Sequence, residues 1–265
     1  MFDITNFKMI LNKQVHEQKL SELTAKAYVA SLQRLEESMT EGSGSVASAI
    51  DKICAGSQQG SKYIAAVKKY ERDVLDSPKS ILYGQELINL RRKHKQASIG
   101  REPALPEQTY LRKINALRNE PLKLALRLQV QSGLRISEVA ALRSEDIKVN
   151  TEGIELYVRC GKGRKSRSVN LINDKYLEEH LKTFLEAKSE GQPMFYSVNY
   201  LKKKANELGI PTHDLRRINS RMRYREQRGN GTCRREARRI VQRELGHENA
   251  TTTNAYLGKE WSEEK

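Results

Sequence analysis

The chain has 265 residues, of which 48 are Lys or Arg and 33 are Asp or Glu, so its formal net charge is +15. A surface this basic predicts a polyanionic partner. The hydrophobic fraction of 37% allows a packed core, while the mean hydropathy of −0.72 and the absence of long apolar runs argue against a membrane span.

The N-terminus and the cysteines indicate the cellular compartment. The first residues, MFDITNFKMILNKQ, carry charges where a secretory signal would be apolar. Cys54, Cys160 and Cys233 are far apart, odd in number and form no CxxC pair. We therefore expect a soluble, globular, cytoplasmic protein with neither a disulfide framework nor a cysteine zinc site.

Helical periodicity dominates the first hundred residues. Apolar residues recur at helical spacing within residues 21–38, and the glycine-containing sequence EGSGS then ends that pattern. Two further helices are predicted over residues 46–55 and 61–75. Residues 1–100 are therefore predicted to form a small helical domain.

A boundary between two domains is predicted near residues 97–106. A mixed helical stretch over residues 80–96 is followed by Gly100, Pro103 and Pro106, a composition typical of a linker. Most of the excess positive charge lies beyond this point. The predicted domains are residues 1–100 and 101–265.

The second domain is predicted to be mostly helical with a small sheet. GIELYVR alternates in polarity like a strand, and GKGRK and SRSVNL follow it, which predicts a β-hairpin with a basic tip. An apolar segment precedes the hairpin and four periodic segments follow it. The predicted helices cover residues 121–130, 174–188, 198–208, 214–224 and 234–244.

Two histidines stand in sequences that suggest chemistry. His213 and Arg216 lie three residues apart at the start of a predicted helix, where they would share one face and favour an anion. The alternative is a capping histidine beside a solvated arginine. His247 precedes Tyr256 by nine residues, and by itself a tyrosine in a helical stretch would be a packing residue.

Two further basic residues are candidates for binding phosphate. Arg135 and Glu138 lie three residues apart on a predicted helix, so the carboxylate could orient the guanidinium. Lys162 lies between two glycines in the hairpin tip, which would let the tip approach a phosphate closely. The GKG sequence lacks the spacing of a nucleoside triphosphate loop, and a charged tip can also be simply solvated.

Taken in order, SGLRISEVAALRSEDI, GKGRKSRSVNL, HDLRR, ELGH and NAYL resemble the tyrosine recombinase or phage integrase family, which includes the Xer, Cre and lambda-integrase group. The resemblance covers about residues 110–257. It implies a mainly α fold with a small β-sheet, in which a helical core-binding DNA-binding domain precedes the catalytic domain. The matching catalytic positions, with Glu138 as a supporting carboxylate, are Arg135, Lys162, His213, Arg216, His247 and Tyr256.

The resemblance implies phosphoryl transfer in DNA without a metal ion, ATP or another cofactor. The Tyr256 hydroxyl would attack a backbone phosphorus, giving a 3′-phosphotyrosine and a 5′-hydroxyl. Arg135 and Arg216 could hold the charge of the transition state through paired hydrogen bonds. Lys162 would protonate the leaving 5′-oxygen, with Lys165 among the runners-up.

The resemblance assigns the remaining roles and the partners. His213 would accept the tyrosine proton, and His247 would donate a hydrogen bond to a phosphate oxygen. A homotetramer would act on two duplexes with inverted-repeat core sites through a Holliday junction, with room for accessory DNA-bending or directionality factors. The two domains would close around the DNA as a clamp. The alternatives are a telomere resolvase, a type IB topoisomerase or a catalytically idle DNA-binding relative.

The sequence departs from the family pattern in three places. Ser132 stands where the family most often has Thr. The interval between Arg216 and His247 is long, and residues 216–243 contain 11 arginines, which could face DNA or form a solvated helix face. The tail after Tyr256 is short, and its Trp261 could anchor in a neighbouring protomer or fold back onto its own domain.

Overall fold

The fold is taken from a computed structural model, which describes residues 2–42, 44–54, 60–76, 87–90, 102–151, 153–161, 165–172 and 174–262. By its internal contacts the chain divides into two compact units, Met1–Ile99 and Gly100–Lys265. The prediction of a mainly α fold with a small β-sheet is confirmed. The separate functions of the two units stay predictions.

Helices make up the described part of the first unit. They are α1 (Ile4–His16), α2 (Glu22–Thr40), α3 (Val46–Ile53) and α4 (Gly60–Asp73), and residues 87–90 are also helical. Three of them begin at a residue whose side chain accepts a backbone N–H three residues along, which satisfies a donor that the helix leaves unpaired. These caps are Asp3, Ser21 and Ser45.

The sequence analysis missed α1. Its apolar residues Phe7 and Leu11 are four positions apart and fully buried, so they share the face that packs on the core of the unit. Lysines and polar residues fill the positions between them, and this short pattern was interpreted only as the absence of a signal peptide. The three helices predicted for this unit are present, with ends that differ by a few residues.

The second unit packs nine helices, as far as it is described, around a small sheet. A 3-10 turn, Ser144–Asp146, leads into the first strand. The helices are α5 (Glu107–Asn115), α6 (Glu120–Ser132), α7 (Ile136–Ala141), α8 (Lys175–Glu186), α9 (Val198–Glu207), α10 (Thr212–Gly229), α11 (Arg234–Leu245), α12 (Ala250–Leu257) and α13 (Lys259–Ser262).

The sheet has three antiparallel strands in the order β1-β2-β3. The strands are β1 (Ile147–Asn150), β2 (Gly153–Val158) and β3 (Arg167–Asn170). Ile147 pairs with Leu156 and Leu156 with Val169, so one buried apolar row crosses the sheet toward the core. The predicted hairpin is β2–β3, whereas β1 was not predicted.

The arginine-rich interval forms regular structure. Residues 216–229 continue α10, and α11 begins at Arg234 after a short turn. Several of these arginines pair with carboxylates of the same unit, among them Arg223 with Glu244 at 2.8 Å and Arg225 with Glu107 at 3.0 Å. Some arginines of the interval therefore form internal ion pairs, while others such as Arg235 are exposed. Neither predicted arrangement, a DNA-facing surface or a solvated helix face, includes the internal pairs.

Among the described residues, no helix is both long enough and apolar enough to cross a bilayer.

Candidate active site

Arg216 lies at the centre of the candidate site. It is in the second turn of α10, and only 1% of its surface is exposed. Its terminal nitrogens donate to the backbone carbonyls of Gly133, which ends α6, and Leu245, which ends α11. Three helices that are distant in sequence are thereby joined at one guanidinium.

The polar surroundings of Arg216 leave one donor unused. Within the described residues, its buried Nε has no hydrogen-bond partner. Burial and the positive charge of Arg135 lower the pKa of Arg216, although the nearby Glu138 opposes this effect. A guanidinium still keeps its proton at neutral pH. Arg216 is therefore a fixed buried cation with a donor available to an anion.

The conformation of Gly133 allows this arrangement. Its φ of 65° is left-handed, as is common just beyond a helix, and a Cβ there would overlap the side chains of Asn219 and Leu245. Only glycine combines that backbone conformation with such close packing. The residue thus allows α6 to end against α10 and α11.

Glu138 links three arginines. The carboxylate accepts from the Arg135 backbone N–H at 2.8 Å, from the Arg135 guanidinium at 2.9 Å, and from two nitrogens of Arg167 at 3.1 and 2.9 Å. Its distance to Arg216 Nη1 is 4.0 Å. Burial disfavours the charged form, but Arg167 and the Arg135 N–H outweigh it and lower the pKa of Glu138.

The predicted position of Arg135 on a helix was wrong by one residue. Arg135 has extended backbone angles and is the N-cap of α7, and Glu138, at the third position of that helix, accepts the cap's N–H. The carboxylate that accepts this N–H also accepts from the Arg135 guanidinium, so the group that starts the helix orients the guanidinium.

His247 and Tyr256 meet beside Arg216. The Nε2 atom of His247 lies 3.1 Å from Arg216 Nη2, and its Nδ1 atom lies 3.1 Å from the Thr253 hydroxyl. The rings of His247 and Tyr256 are edge to face with centroids 4.9 Å apart. The Arg216 guanidinium carbon lies 5.8 Å from the centroid of the Tyr256 ring. Two of the predicted residues thus surround the tyrosine.

His213 lines a cavity of about 300 Å³ together with Arg135 and Arg216. Lys202 of α9 adds a further cation to this wall. The ring edge of His213 reaches solvent, yet partial desolvation and then the charges of Arg217 and Arg216 lower its pKa. His213 is therefore neutral at pH 7, in a cavity whose charge suits an anion such as phosphate.

Lys162 falls outside the described residues, so its predicted role stays a prediction. The described neighbours of the tip lie beside the site. Gly161 lies close to both Arg167 and Lys165. A Cβ atom at this position would be 2.6 Å from the Arg167 guanidinium and 2.9 Å from the Lys165 carbonyl oxygen. Lys165 pairs with Glu248, next to His247, at 3.1 Å. The base of the hairpin therefore lies next to the loop that carries His247 and Glu248.

Sequence reasoning missed Arg167. It lies on β3 and bridges Glu138 to the carbonyl of Glu244 at 2.8 Å, connecting the sheet with the ends of α7 and α11. The available signal was its place in SRSVNL, where a basic residue stands between polar positions at the start of a strand. Only the packing of the sheet against Glu138 distinguishes it from a solvated arginine.

The described residues contain no group of three or more His, Cys, Asp or Glu side chains placed to hold a metal ion. The potential ligands for an anion, in contrast, converge in the cavity described above.

The geometry agrees with a comparison against protein families. Residues 105–262 match the model of the phage integrase family. The chain belongs to the phage integrase family. This match covers more than half of the chain and includes every predicted site residue, so the predicted family is confirmed. A search of curated proteins finds no match.

Solved structures extend the likeness of this family member across both units. A lambda integrase tetramer bound to a Holliday junction is 16% identical with a TM-score of 0.65, covering 96% of this chain and 75% of that chain. A lambda integrase dimer bound to a COC′ core site is 18% identical with a TM-score of 0.65, covering 97% and 78%. XerH site-specific recombinase in a post-cleavage complex with difH is 19% identical with a TM-score of 0.62, covering 91% and 77%. At these identities the likeness concerns the fold.

Proposed function

We propose that this phage integrase family member is a site-specific DNA recombinase that cleaves and rejoins strands through a 3′-phosphotyrosine. The observation that carries the proposal is the convergence on Tyr256 of a buried arginine from α10 and a histidine from the loop between α11 and α12. Family membership supplies the reaction class.

The cleavage step assigns a role to each group. The Tyr256 hydroxyl attacks the phosphorus, the bond from phosphorus to the 5′-oxygen breaks, and one phosphodiester replaces another. Arg135 and Arg216 bind the non-bridging oxygens, on which negative charge grows in the transition state. His213 is neutral at pH 7 and accepts the phenolic proton, while Lys162 protonates the 5′-oxygen.

Two groups support the phosphate ligands. His247 is held between Thr253 and Arg216, and its proposed role is a hydrogen bond to a phosphate oxygen. For this bond Nε2 must carry a proton and turn from Arg216, which can only donate, to the bound phosphate. Glu138 accepts from Arg135 and Arg167 and fixes the first of these guanidiniums beside the cavity. Rejoining is the reverse step, in which a 5′-hydroxyl displaces Tyr256.

The proposed partner is duplex DNA with inverted-repeat core sites, acted on by a homotetramer that joins two duplexes. The net charge of +15 favours such a polyanion. The lambda integrase tetramer on a Holliday junction has the same fold over 96% of this chain, which supports the same assembly here. Residues 1–100 are proposed to bind the core site from the other side of the duplex.

Replacing Tyr256 by Phe tests the nucleophile. The probe is a nicked duplex that carries an inverted-repeat core site, to be identified in the DNA that flanks the gene. Wild-type protein should form a covalent adduct that survives denaturing electrophoresis, and Tyr256→Phe should form none while its duplex affinity is unchanged. Tyr157→Phe is the matched control because Tyr157 is 47% exposed on β2, and it should react like the wild type.

The same probe discriminates among the other functions. Adduct formation by Tyr256→Phe would refute the assignment of the nucleophile. Wild-type protein that binds the duplex without forming an adduct would indicate an idle DNA-binding relative. A wild-type adduct without strand exchange between two sites would favour a topoisomerase or resolvase.

A further inference from the structure

Asp214 is a buried carboxylate that the proposed chemistry does not use. In sequence it lies between His213 and Arg216 on α10, and 3% of its surface is exposed. Its Oδ2 atom accepts from the Ala104 backbone N–H and from the Tyr110 hydroxyl, each at 2.9 Å. Its Oδ1 atom accepts from Arg217 at 2.6 Å. The Asp214 carboxylate therefore connects the segment 102–110 with Arg217 of α10.

The Arg217 guanidinium faces the tyrosine. Its central carbon lies 5.5 Å from the centroid of the Tyr256 ring, closer than the corresponding carbon of Arg216 at 5.8 Å. Its side chain is 18% exposed, so it is largely removed from bulk water. A cation at this distance from an aromatic ring attracts it, and the attraction strengthens as water is excluded. Asp214 fixes where that cation lies.

A second connection runs from the same segment to the backbone of the tyrosine. Glu102 pairs with Arg221 at 2.5 Å, and Arg221 Nε donates to the Tyr256 carbonyl at 3.3 Å. At Gly258 a Cβ would lie only 2.5 Å from Glu102 and 2.6 Å from Arg221, so both pack directly on the chain after Tyr256. The segment 102–110 thus reaches the tyrosine at both its ring and its backbone.

We propose that Arg217 is a positioning residue for Tyr256, anchored through Asp214 to the segment 102–110. The inference rests on the proposed function, in which Tyr256 is the nucleophile. Asp214 holds the guanidinium against the ring, and the ring in turn stays beside His247 and Arg216, where the phosphate is bound. A displacement of residues 104–110 is transmitted to the tyrosine through the shared carboxylate.

The kinetic test compares Arg217→Gln, Arg217→Lys and Arg225→Gln with the wild type. Arg217→Gln should lower the single-turnover cleavage rate of the saturated complex about 10- to 100-fold, because misplacing a nucleophile by about 1 Å has that cost. Arg217→Lys keeps a cation that can pair with Asp214 and should recover part of the rate. Duplex affinity should change by less than about threefold. If Arg217 were instead a phosphate contact, its loss would weaken duplex binding without slowing cleavage at saturation.

Arg225→Gln is the matched control. Arg225 is 52% exposed and pairs with Glu107 of the same segment, but it does not contact the Tyr256 ring. It should cleave at the wild-type rate. Equal rates for Arg217→Gln and wild type, or equal losses for Arg217→Gln and Arg225→Gln, would overturn the positioning role while leaving Tyr256 as the nucleophile.

A spectroscopic measurement makes the test independent of catalysis. With 3-fluorotyrosine placed at position 256, the fluorine resonance should shift or broaden in Arg217→Gln and in Tyr110→Phe, which removes one hydrogen bond from Asp214. Arg225→Gln should keep the wild-type resonance, and the resonance of Arg217→Lys should lie between those of Arg217→Gln and the wild type. An unchanged resonance in Arg217→Gln, with thermal unfolding showing a folded protein, would refute the proposal even if the chain proved to have no recombinase activity.

Discussion

At the residue scale, the site depends on how charges are balanced around a few buried groups. Glu138 contacts Arg135 and Arg167 and lies near Arg216, so one carboxylate compensates a cluster of cations. The pKa of His213 is also lowered, but here partial desolvation and then the surrounding positive charges favour the neutral form. The two effects lead to predictions about stability and pH dependence.

Replacing Glu138 by Gln should destabilise the protein by about 3 to 5 kcal/mol, because removing one partner of a buried ion pair leaves its guanidiniums uncompensated. Unfolding by urea at pH 7 measures the loss. Glu248→Gln is the control, since Glu248 forms an exposed pair with Lys165 that is worth about 1 kcal/mol at most. Equal stability of the two variants would contradict the role given to Glu138.

The depressed pKa of Glu138 also fixes a pH dependence of folding. Its contribution to stability is fully present above the ordinary value of 4.5 and is lost as pH falls through the lower folded value. Acid unfolding followed by circular dichroism should therefore begin below pH 4.5 in the wild type. Glu138→Gln should lack this part of the acid transition.

His213 should produce an acidic limb in the rate of cleavage. Its pKa lies below the usual 6.5, so it is neutral above that pH and loses its ability to accept a proton as pH falls through the lowered value. The single-turnover rate should be level above pH 6.5 and decline below it. His213→Gln should be slower and should lack this limb, whereas His180→Gln, changed in a ring that stacks on Tyr176, should keep it. A limb that persists in His213→Gln would assign the base elsewhere.

At the scale of elements, the site is formed by helix ends. α6, α7 and α11 each end or begin at a residue that contacts the site, and the start of α10 supplies the central arginine. Backbone carbonyls at two C-termini accept from Arg216, which suits their partial negative charge. The last described helix, α13, packs on the second unit through Trp261.

Trp261 folds back onto its own unit, which is one of the two arrangements predicted for the tail. Its ring lies 3.9 Å from the Arg234 guanidinium carbon and 6.5 Å, edge to face, from the ring of Tyr224. It packs on the small apolar cluster that includes Val241 and Leu257. The chain therefore has a site for its own tail within the second unit.

Trp261→Ala should lower the stability of the second unit by about 2 kcal/mol, somewhat less than the loss of a fully buried aromatic residue would cost. Denaturant unfolding followed by circular dichroism measures the change. Tyr157→Ala, at an exposed aromatic position, should cost much less. If the two variants were equally stable, the contacts of the tail would contribute nothing to the folded chain.

At the scale of the whole molecule, charge governs the interaction with DNA. The net charge of +15 is carried mainly beyond residue 100, although many arginines of α10 and α11 pair internally. Exposed positions such as Arg235 and Arg239 are the ones that can contact phosphates. The affinity for DNA should therefore depend strongly on salt concentration, but less strongly than the number of arginines suggests.

The logarithm of the binding constant should fall linearly with the logarithm of salt concentration, with a slope of about −5 to −9 for roughly 6 to 10 phosphate contacts. Fluorescence anisotropy on a labelled duplex measures this slope. Replacing Arg235 and Arg239 by Gln should make the slope shallower by about 1 to 2 if this face of α11 contacts DNA. An unchanged slope would show that the face is only solvated.

The sequence by itself determined the family, the fold class and the candidate residues. Helical periodicity is local, so most helices could be predicted, and the motifs place basic and nucleophilic residue types at fixed intervals along the chain. The elements that were not predicted include α1, α5 and β1. The two helices each bury only two side chains, Phe7 and Leu11 in the first and Tyr110 and Ile114 in the second, so their apolar stripes are weak.

Only the tertiary structure decided how these residues act on one another. Arg167 and Asp214 resemble surface charges in the sequence, and their roles depend on contacts with Glu138 and with Tyr110 across 29 and 104 positions. The burial of Arg216 likewise follows from the meeting of three helix ends. Hydrogen bonds and desolvation depend on distances in space, and a local pattern of residues does not specify which distant groups become neighbours.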